Sequence, residues 1–174
     1  MPQRRHLAHG LAGVLASALL VLPASPGADA AGPVPAAVTV AAPAPAASKA
    51  VVLKPALKRV LKRVNAARTK RGLKPLSAGR CLTRKFAQPW ARHMAHTGSF
   101  GHQDTSKIFT QCSGFHIVGE NIAAGQPTAK AVMAAWMGSP DHKRNILRKR
   151  FKRIGLGLAR DADGVKYWVQ DFGG

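Results

Sequence analysis

Residues 128–147 read TAKAVMAAWMGSPDHKRNIL and carry the clearest structural signal of the chain. Apolar residues in the first half recur every three or four positions, and this stripe is formed by Ala129, Val132, Met133 and Trp136. Such spacing predicts an amphipathic helix over residues 128–137 that buries one face. His142 follows shortly after, so the end of this helix is a candidate place for chemistry.

Three further helices are predicted upstream. The first begins at Pro55, which suits the first turn of a helix, and ends near Gly72. Its apolar face is formed by Leu57, Val60, Leu61, Val64 and Ala67. The second covers residues 82–96, and Pro89 inside it should kink the helix or cut it in two. A short helix is predicted over residues 105–111.

The last part of the chain predicts a β-hairpin. Large apolar and small residues alternate over residues 154–159, and residues 165–172 are rich in aromatic and β-branched side chains. The sequence DADG at residues 161–164 supplies the turn. A third strand should include residues 117–120. Because helices come first and strands last, the pattern predicts an α+β sandwich and not alternating βαβ units.

The N-terminus has the pattern of a secretory signal over residues 1–30. Arg4 and Arg5 precede an uncharged apolar stretch, residues 11–22, and Ala28-Asp29-Ala30 matches a small-x-small cleavage site. The apolar stretch is shorter than the roughly 20 residues that cross a bilayer, although an uncleaved short anchor stays open as an alternative. The arginine pair also leaves twin-arginine export open beside the general route.

An Ala/Pro-rich linker is predicted over residues 31–50, so the globular domain is expected to occupy residues 51–174. The whole chain has a formal net charge of +20. Removing residues 1–30 takes away two arginines and one aspartate and leaves +19. Such a charge attracts polyanions, and outside the cell these are anionic envelope polymers and lipid headgroups. Nucleic acid is not expected as a partner of an exported chain, and the charge could serve solubility alone.

Cys81 and Cys112 are the only two cysteines. An even count in an exported chain predicts a disulfide between them. A metal-binding pair is the alternative, but the CxxC spacing typical of such pairs is missing.

Glu120 is the only glutamate of the chain and lies between apolar residues. A carboxylate in such a setting is either buried with a partner or lines a cleft. His102 and His142 each follow the end of a predicted helix. Two histidines and a glutamate could meet to ligate a divalent metal or to perform acid–base chemistry. Their spacing alone does not prove that they meet, and a lone histidine is more often structural or surface-exposed than a ligand.

Six segments in the same order resemble the CAP superfamily, which includes cysteine-rich secretory proteins, insect venom allergens and plant pathogenesis-related proteins. The similarity is to the bacterial branch with SCP domains and covers about residues 55–174. The segments are NAAR at 65–68, FGH at 100–102, GENIA at 119–123, AWMGSPDHKRNIL at 135–147, IGLG at 154–157 and YWVQDF at 167–172.

The resemblance implies a three-layer α-β-α sandwich with a small antiparallel sheet. It also implies a surface cleft that holds two histidines and two acidic residues. His102, Glu120 and His142 match three of these positions, whereas Ser139 stands where relatives place the second acid. Asp141 is close enough in sequence to substitute in part, so the expected cleft comprises these five residues.

The resemblance favours an exported, monomeric domain that binds a lipid or another envelope component through this cleft. A metal-assisted hydrolase of cell-wall peptide or glycan is the alternative, with His102, Glu120 and His142 binding zinc weakly. A structural or interaction module without catalysis is the third possibility. The missing second acid favours binding or bracing over hydrolysis. The basic run over residues 143–153 is either a solvated face or a contact for anionic polymer or membrane.

Overall fold

The computed structural model describes residues 51–174. The predicted signal peptide at 1–30 and the linker at 31–50 lie outside the described residues. Among residues 51–174, no helix combines the length and the apolar character that a membrane span requires.

Five α-helices are present in this part of the chain. They are α1 (Pro55–Thr69), α2 (Gln88–Thr97), α3 (Lys107–Gln111), α4 (Ala129–Gly138) and α5 (Pro140–Leu147). A π-helical segment, Leu82–Ala87, runs directly into α2, so the helix changes its winding just before Pro89. The helix α5 was not expected from the sequence, and Pro140 occupies its first turn.

Four strands form one sheet in the order β1-β3-β4-β2. They are β1 (Ser77–Ala78), β2 (Val118–Ala124), β3 (Arg153–Arg160) and β4 (Lys166–Gly173). The predicted hairpin is β3–β4, and β2 pairs antiparallel on the other side of β4. The short β1 adds a parallel pairing with β3, which the sequence did not predict. In this register Glu120 of β2 lies directly opposite Asp171 of β4.

The sheet separates two helical layers, which confirms the predicted sandwich. On one side α1, α4 and α5 pack with the sheet around Trp136, Trp168 and Phe172. On the other side α2 packs through Ala91 and Met94.

Two glycines of β3 let the helical layer approach the sheet closely. A Cβ on Gly157 would lie 1.9 Å from the carbonyl oxygen of Ala87, and one on Gly155 would lie 2.5 Å from the carbonyl carbon of Leu82. Both distances are shorter than any normal contact. The π-helical segment therefore rests on backbone that carries no side chain at these positions.

The predicted disulfide is confirmed. Cys81 and Cys112 are bonded, with their Cα atoms 5.9 Å apart. The bond ties the residue before the π-helical segment to the residue after α3. The loop that contains His102 lies between these two anchored points.

Arg68 fixes α5 to α1 from inside the protein. Its side chain is buried, and its guanidinium donates hydrogen bonds to the carbonyl oxygens of Lys74, Ile146, Arg148 and Phe151 at 2.8–3.3 Å. Burial lowers the pKa of Arg68. Because two of these carbonyls belong to the end of α5 and the residue after it, this arginine helps to position the helix that carries His142.

Candidate functional site

His102 and Glu120 form a direct contact at the start of β2. The imidazole Nδ1 lies 2.6 Å from the carboxylate Oε1. The His102 side chain is 60% exposed, whereas that of Glu120 is 2% exposed. Since Nδ1 is held by the carboxylate, Nε2 is the ring nitrogen left for an outside partner.

Gln103 occupies the remaining positions around the Glu120 carboxylate. Its backbone N–H donates to Oε1 at 3.2 Å, and its side-chain Nε2 donates to Oε2 at 2.6 Å. The same Nε2 also lies 3.1 and 3.2 Å from the two carboxylate oxygens of Asp171. Both oxygens of Glu120 therefore have partners within the protein.

Burial sets the electrostatics of these two acids. It raises the pKa of Glu120, against the opposing effect of hydrogen bonds from Gln103 and His102. The pKa of Asp171 is raised well above its usual value by burial and by the nearby charge of Glu120. The site thus contains two acids that retain protons more readily than exposed carboxyls do.

Asp171 and Gln103 were missed as site residues in the sequence. Asp171 belongs to the motif YWVQDF, in which every side chain is buried. An aspartate within a fully buried strand was the available signal, because such a group needs a partner. Gln103 lies in a loop and carried no signal of its own.

His142 lies in the first turn of α5, and its carbonyl oxygen accepts a hydrogen bond from Asn121, the residue after Glu120. Burial lowers the pKa of His142, the charge of His102 lowers it further, and Asp141 opposes the shift. The charge of His102 thus acts on His142, so the two histidines share one electrostatic environment.

Three amides hold α5 against the sheet beneath the histidines. Asn121 Nδ2 donates to the carbonyl oxygen of His142 at 3.1 Å and to Gln170 Oε1 at 3.0 Å. Asn145 Nδ2 donates to the carbonyl oxygen of Glu120 and to Asn121 Oδ1, both at 3.0 Å. These amides lie within the quoted motifs and act as positioning groups.

The other two expected cleft residues lie beside α5. Ser139 is the residue before the helix and is half-buried. Asp141 is exposed, and its carboxylate pairs with the guanidinium of Arg144 one turn along the helix. Asp141 therefore has a cationic partner of its own.

The donor set does not by itself form a zinc site. Residues 51–174 contain no group of three His, Cys, Asp or Glu side chains arranged to hold a metal ion. The Glu120 oxygens are already engaged by His102 and Gln103. Zinc binding therefore stays a prediction, in which the two imidazoles would supply ligands and Glu120 would orient His102.

The part of the chain that contains β2, β4 and α5 matches a known protein family. Residues 61–172 match the family model of CAP, the Cysteine-rich secretory protein family. The chain belongs to this family. The similarity proposed from the six motifs is thereby confirmed.

A bacterial relative matches a similar share of the chain. The uncharacterized protein YkwD of Bacillus subtilis is 37% identical over 121 residues, which cover 66% of this chain and 46% of YkwD. The chain thus spans just under half the length of that relative, whose bacterial source supports the bacterial branch.

Two solved structures share the fold. An outer surface protein of Borrelia burgdorferi gives a TM-score of 0.59 at 23% identity, covering 71% of this chain and 95% of that one. An extracellular protein of Bacillus anthracis with an SCP domain gives 0.56 at 24% identity, covering 67% of this chain and 39% of that one. At these identities the likeness concerns the fold.

Proposed function

We propose that this chain is an exported CAP domain that binds a lipid or another component of the cell envelope through the surface around His102 and His142. Export is supported by the signal pattern of residues 1–30 and by the disulfide between Cys81 and Cys112. The Bacillus anthracis and Borrelia proteins are described as extracellular and outer-surface, respectively.

The observation that carries the proposal is the complete engagement of the Glu120 carboxylate by His102 and Gln103. Hydrolysis of a glycan by two carboxyls needs both of them open to substrate and water. Asp171 is fully buried, and Asp141 pairs with Arg144. The acids of this site therefore serve to position groups, and His102 is the group presented outward.

The surface near His102 suits an amphipathic ligand. Phe100, two residues before His102, is 55% exposed and offers an apolar contact. Lys143 follows His142 on α5 and is exposed, and Arg144 is exposed as well but pairs with Asp141. An apolar ring next to imidazole and cationic groups matches a lipid with an anionic headgroup.

Vesicle flotation tests the proposal. Vesicles of phosphatidylglycerol mixed with phosphatidylcholine should carry the wild-type protein upward, and His102→Ala and Phe100→Ala should each weaken this binding about tenfold. His96→Ala is the matched control, because His96 is an exposed histidine of the last turn of α2.

Each outcome of the flotation assay is informative. Loss in the two site variants with binding kept in the control supports the proposal. If all four proteins float equally, or if none does, the site does not bind such lipids and a bracing role for Glu120 and His102 is favoured instead.

A second candidate function is metal-assisted hydrolysis of wall peptide or glycan. One observation favours it, namely the 2.6 Å contact between His102 Nδ1 and Glu120. A carboxylate behind an imidazole is the common way to orient a metal-binding histidine. Zinc titration separates this candidate from the first.

A further inference from the structure

A cationic groove runs between α1 and the first turns of α4. It consists of two adjoining depressions of about 330 Å³ each, which share Arg63 and Lys130 in their walls. Arg59 and Lys166 line one depression, and Lys70 lines the other. No aspartate or glutamate is among the described residues that line either depression. Five positive charges thus face one groove without an acidic partner in its walls.

Lys130 occupies an unfavourable position for the helix that carries it. It is the second residue of α4, and the first turn of that helix contains no acidic side chain. The N-terminal end of a helix carries partial positive charge, so a cation there is destabilising and an anion is favourable. The same end of α4 contributes Thr128 and Ala129 to the groove wall. Lys130 and the helix end therefore add to one positive potential.

Lys166 lines the same depression as Arg59, a second cation of the groove. Its ammonium donates a hydrogen bond to the carbonyl oxygen of Pro127 and lies 5.8 Å from the ring centre of Trp168. Burial lowers the pKa of Lys166, and the charges of Arg160 and Arg59 lower it further. Mutual repulsion of this kind is relieved when an anion binds between the cations.

The cations follow a line along the helix. Arg59 and Arg63 lie one turn apart on α1, and Lys70 is the residue that caps its C-terminal end. At the usual helical rise per residue, Arg59 and Lys70 are separated by roughly 16 Å. One phosphate group is shorter than this span, whereas consecutive phosphates of a polymer could follow it.

The apolar content of the groove argues against membrane insertion. Met133 and Trp168, which line the two depressions, are buried. The large apolar side chains that are exposed in residues 51–174 are Val52, Phe100, Phe109 and Val165, and none of them lines the groove.

We propose that the groove between α1 and α4 binds a linear polyanion with repeated phosphate groups, of the kind that an envelope phosphopolymer presents. The groove shares no lining residue with the His102 and His142 surface. The inference is therefore independent of the proposed function and is tested separately.

The test uses linear polyphosphate as the probe in calorimetric titrations. The double variant Arg63→Ala/Lys130→Ala removes both cations that the two depressions share. Lys149→Ala/Arg150→Ala is the matched control, because it removes two exposed cations from the basic run that follows α5. All four side chains are exposed, so both variants should fold, which circular dichroism checks.

The groove variant should bind polyphosphate at least about tenfold more weakly than wild type, while the control stays within about twofold. Equal weakening in both variants would mean that net charge alone attracts the probe, and this would overturn the proposal. Unchanged binding in the groove variant would overturn it as well.

Phosphatidylglycerol vesicles serve as a second probe in the same test. If they bind as tightly as polyphosphate and lose binding in the same variant, the groove is a membrane contact and the assignment to a polymer is wrong.

Discussion

Glu120 and Asp171 lie opposite each other on the paired strands β2 and β4, and one amide group of Gln103 lies within hydrogen-bonding distance of both carboxyls. Asp171 is fully buried. Two acids with raised pKa values thus share one neutral donor directly behind an exposed histidine. This arrangement accounts for how His102 is held, and it predicts that the site responds to pH.

The raised pKa of Asp171 predicts a pH-dependent contribution to stability. The folded state binds the Asp171 proton more tightly than the unfolded state does. In the unfolded state the pKa of Asp171 is near 3.8. Its favourable contribution is therefore complete below about pH 4 and is lost as pH rises towards the folded-state pKa. Asp171→Asn should remove this dependence.

The expected result is that wild type loses stability relative to Asp171→Asn as the pH rises from about 4 to neutrality, as measured by urea unfolding at several pH values. Asp163→Asn, in the exposed β3–β4 turn, is the control. A difference between wild type and Asp171→Asn that stays flat, or that changes in the other direction, would contradict the assignment.

The close approach of β3 to the π-helical segment predicts that Gly157→Ala is strongly destabilising. The new Cβ would collide with the Ala87 carbonyl oxygen, and backbone must move to relieve the clash. We expect the free energy of unfolding to fall by about 3 kcal/mol, at the upper end of overpacking costs. Gly138→Ala, where a Cβ meets no atom within 4 Å, should change it little. Similar losses in both variants would contradict the close approach of Gly157 to the Ala87 carbonyl oxygen.

Arg68 is predicted to be the main internal tie between α1 and α5. Arg68→Met keeps most of the side-chain volume but leaves four carbonyl acceptors without their donor. The expected loss of unfolding free energy is about 3 kcal/mol. Arg63→Met, on the exposed side of the same helix, should change it by less than about 0.5 kcal/mol. Urea unfolding compares the two, and equal effects would refute the role of Arg68.

Zinc titration examines the metal hypothesis. Wild type should bind about one equivalent weakly through the two imidazoles, and His142→Ala should abolish this binding. Glu120→Gln should weaken it about 10-fold to 100-fold, because the carboxylate orients His102. Binding should fade below about pH 6 as imidazole ligands protonate. Calorimetry that detects no zinc binding by folded wild type would remove the hydrolase candidate.

Periodicity was sufficient to predict α1 and α4, because each buries one regular apolar face. The β3–β4 hairpin was predicted from its alternating small residues, its aromatic and β-branched residues and the DADG turn. Periodicity missed α5, since Ile146 is the only fully buried residue of that helix and leaves no repeating stripe. The two-residue strand β1 is too short for any pattern to reveal.

The sequence likewise identified only some of the residues of the candidate site. His102, Glu120 and His142 were singled out by residue type and by resemblance, and the contact between His102 and Glu120 agrees with a shared site. Asp171 was not found because its relation to Gln103 spans 68 residues and depends on how β4 pairs with β2. Contacts of this kind are set by tertiary packing, so the sequence can show a buried acid that needs a partner but not which residue that partner is.

The central functional claim is that the surface around His102 binds an envelope component. Mass spectrometry of small molecules that co-purify with the exported protein tests it most directly, with His102→Ala and His96→Ala purified in parallel. We predict a lipid or other envelope molecule that is retained by wild type and His96→Ala and is lost from His102→Ala. Identical sets of molecules on all three proteins would contradict it.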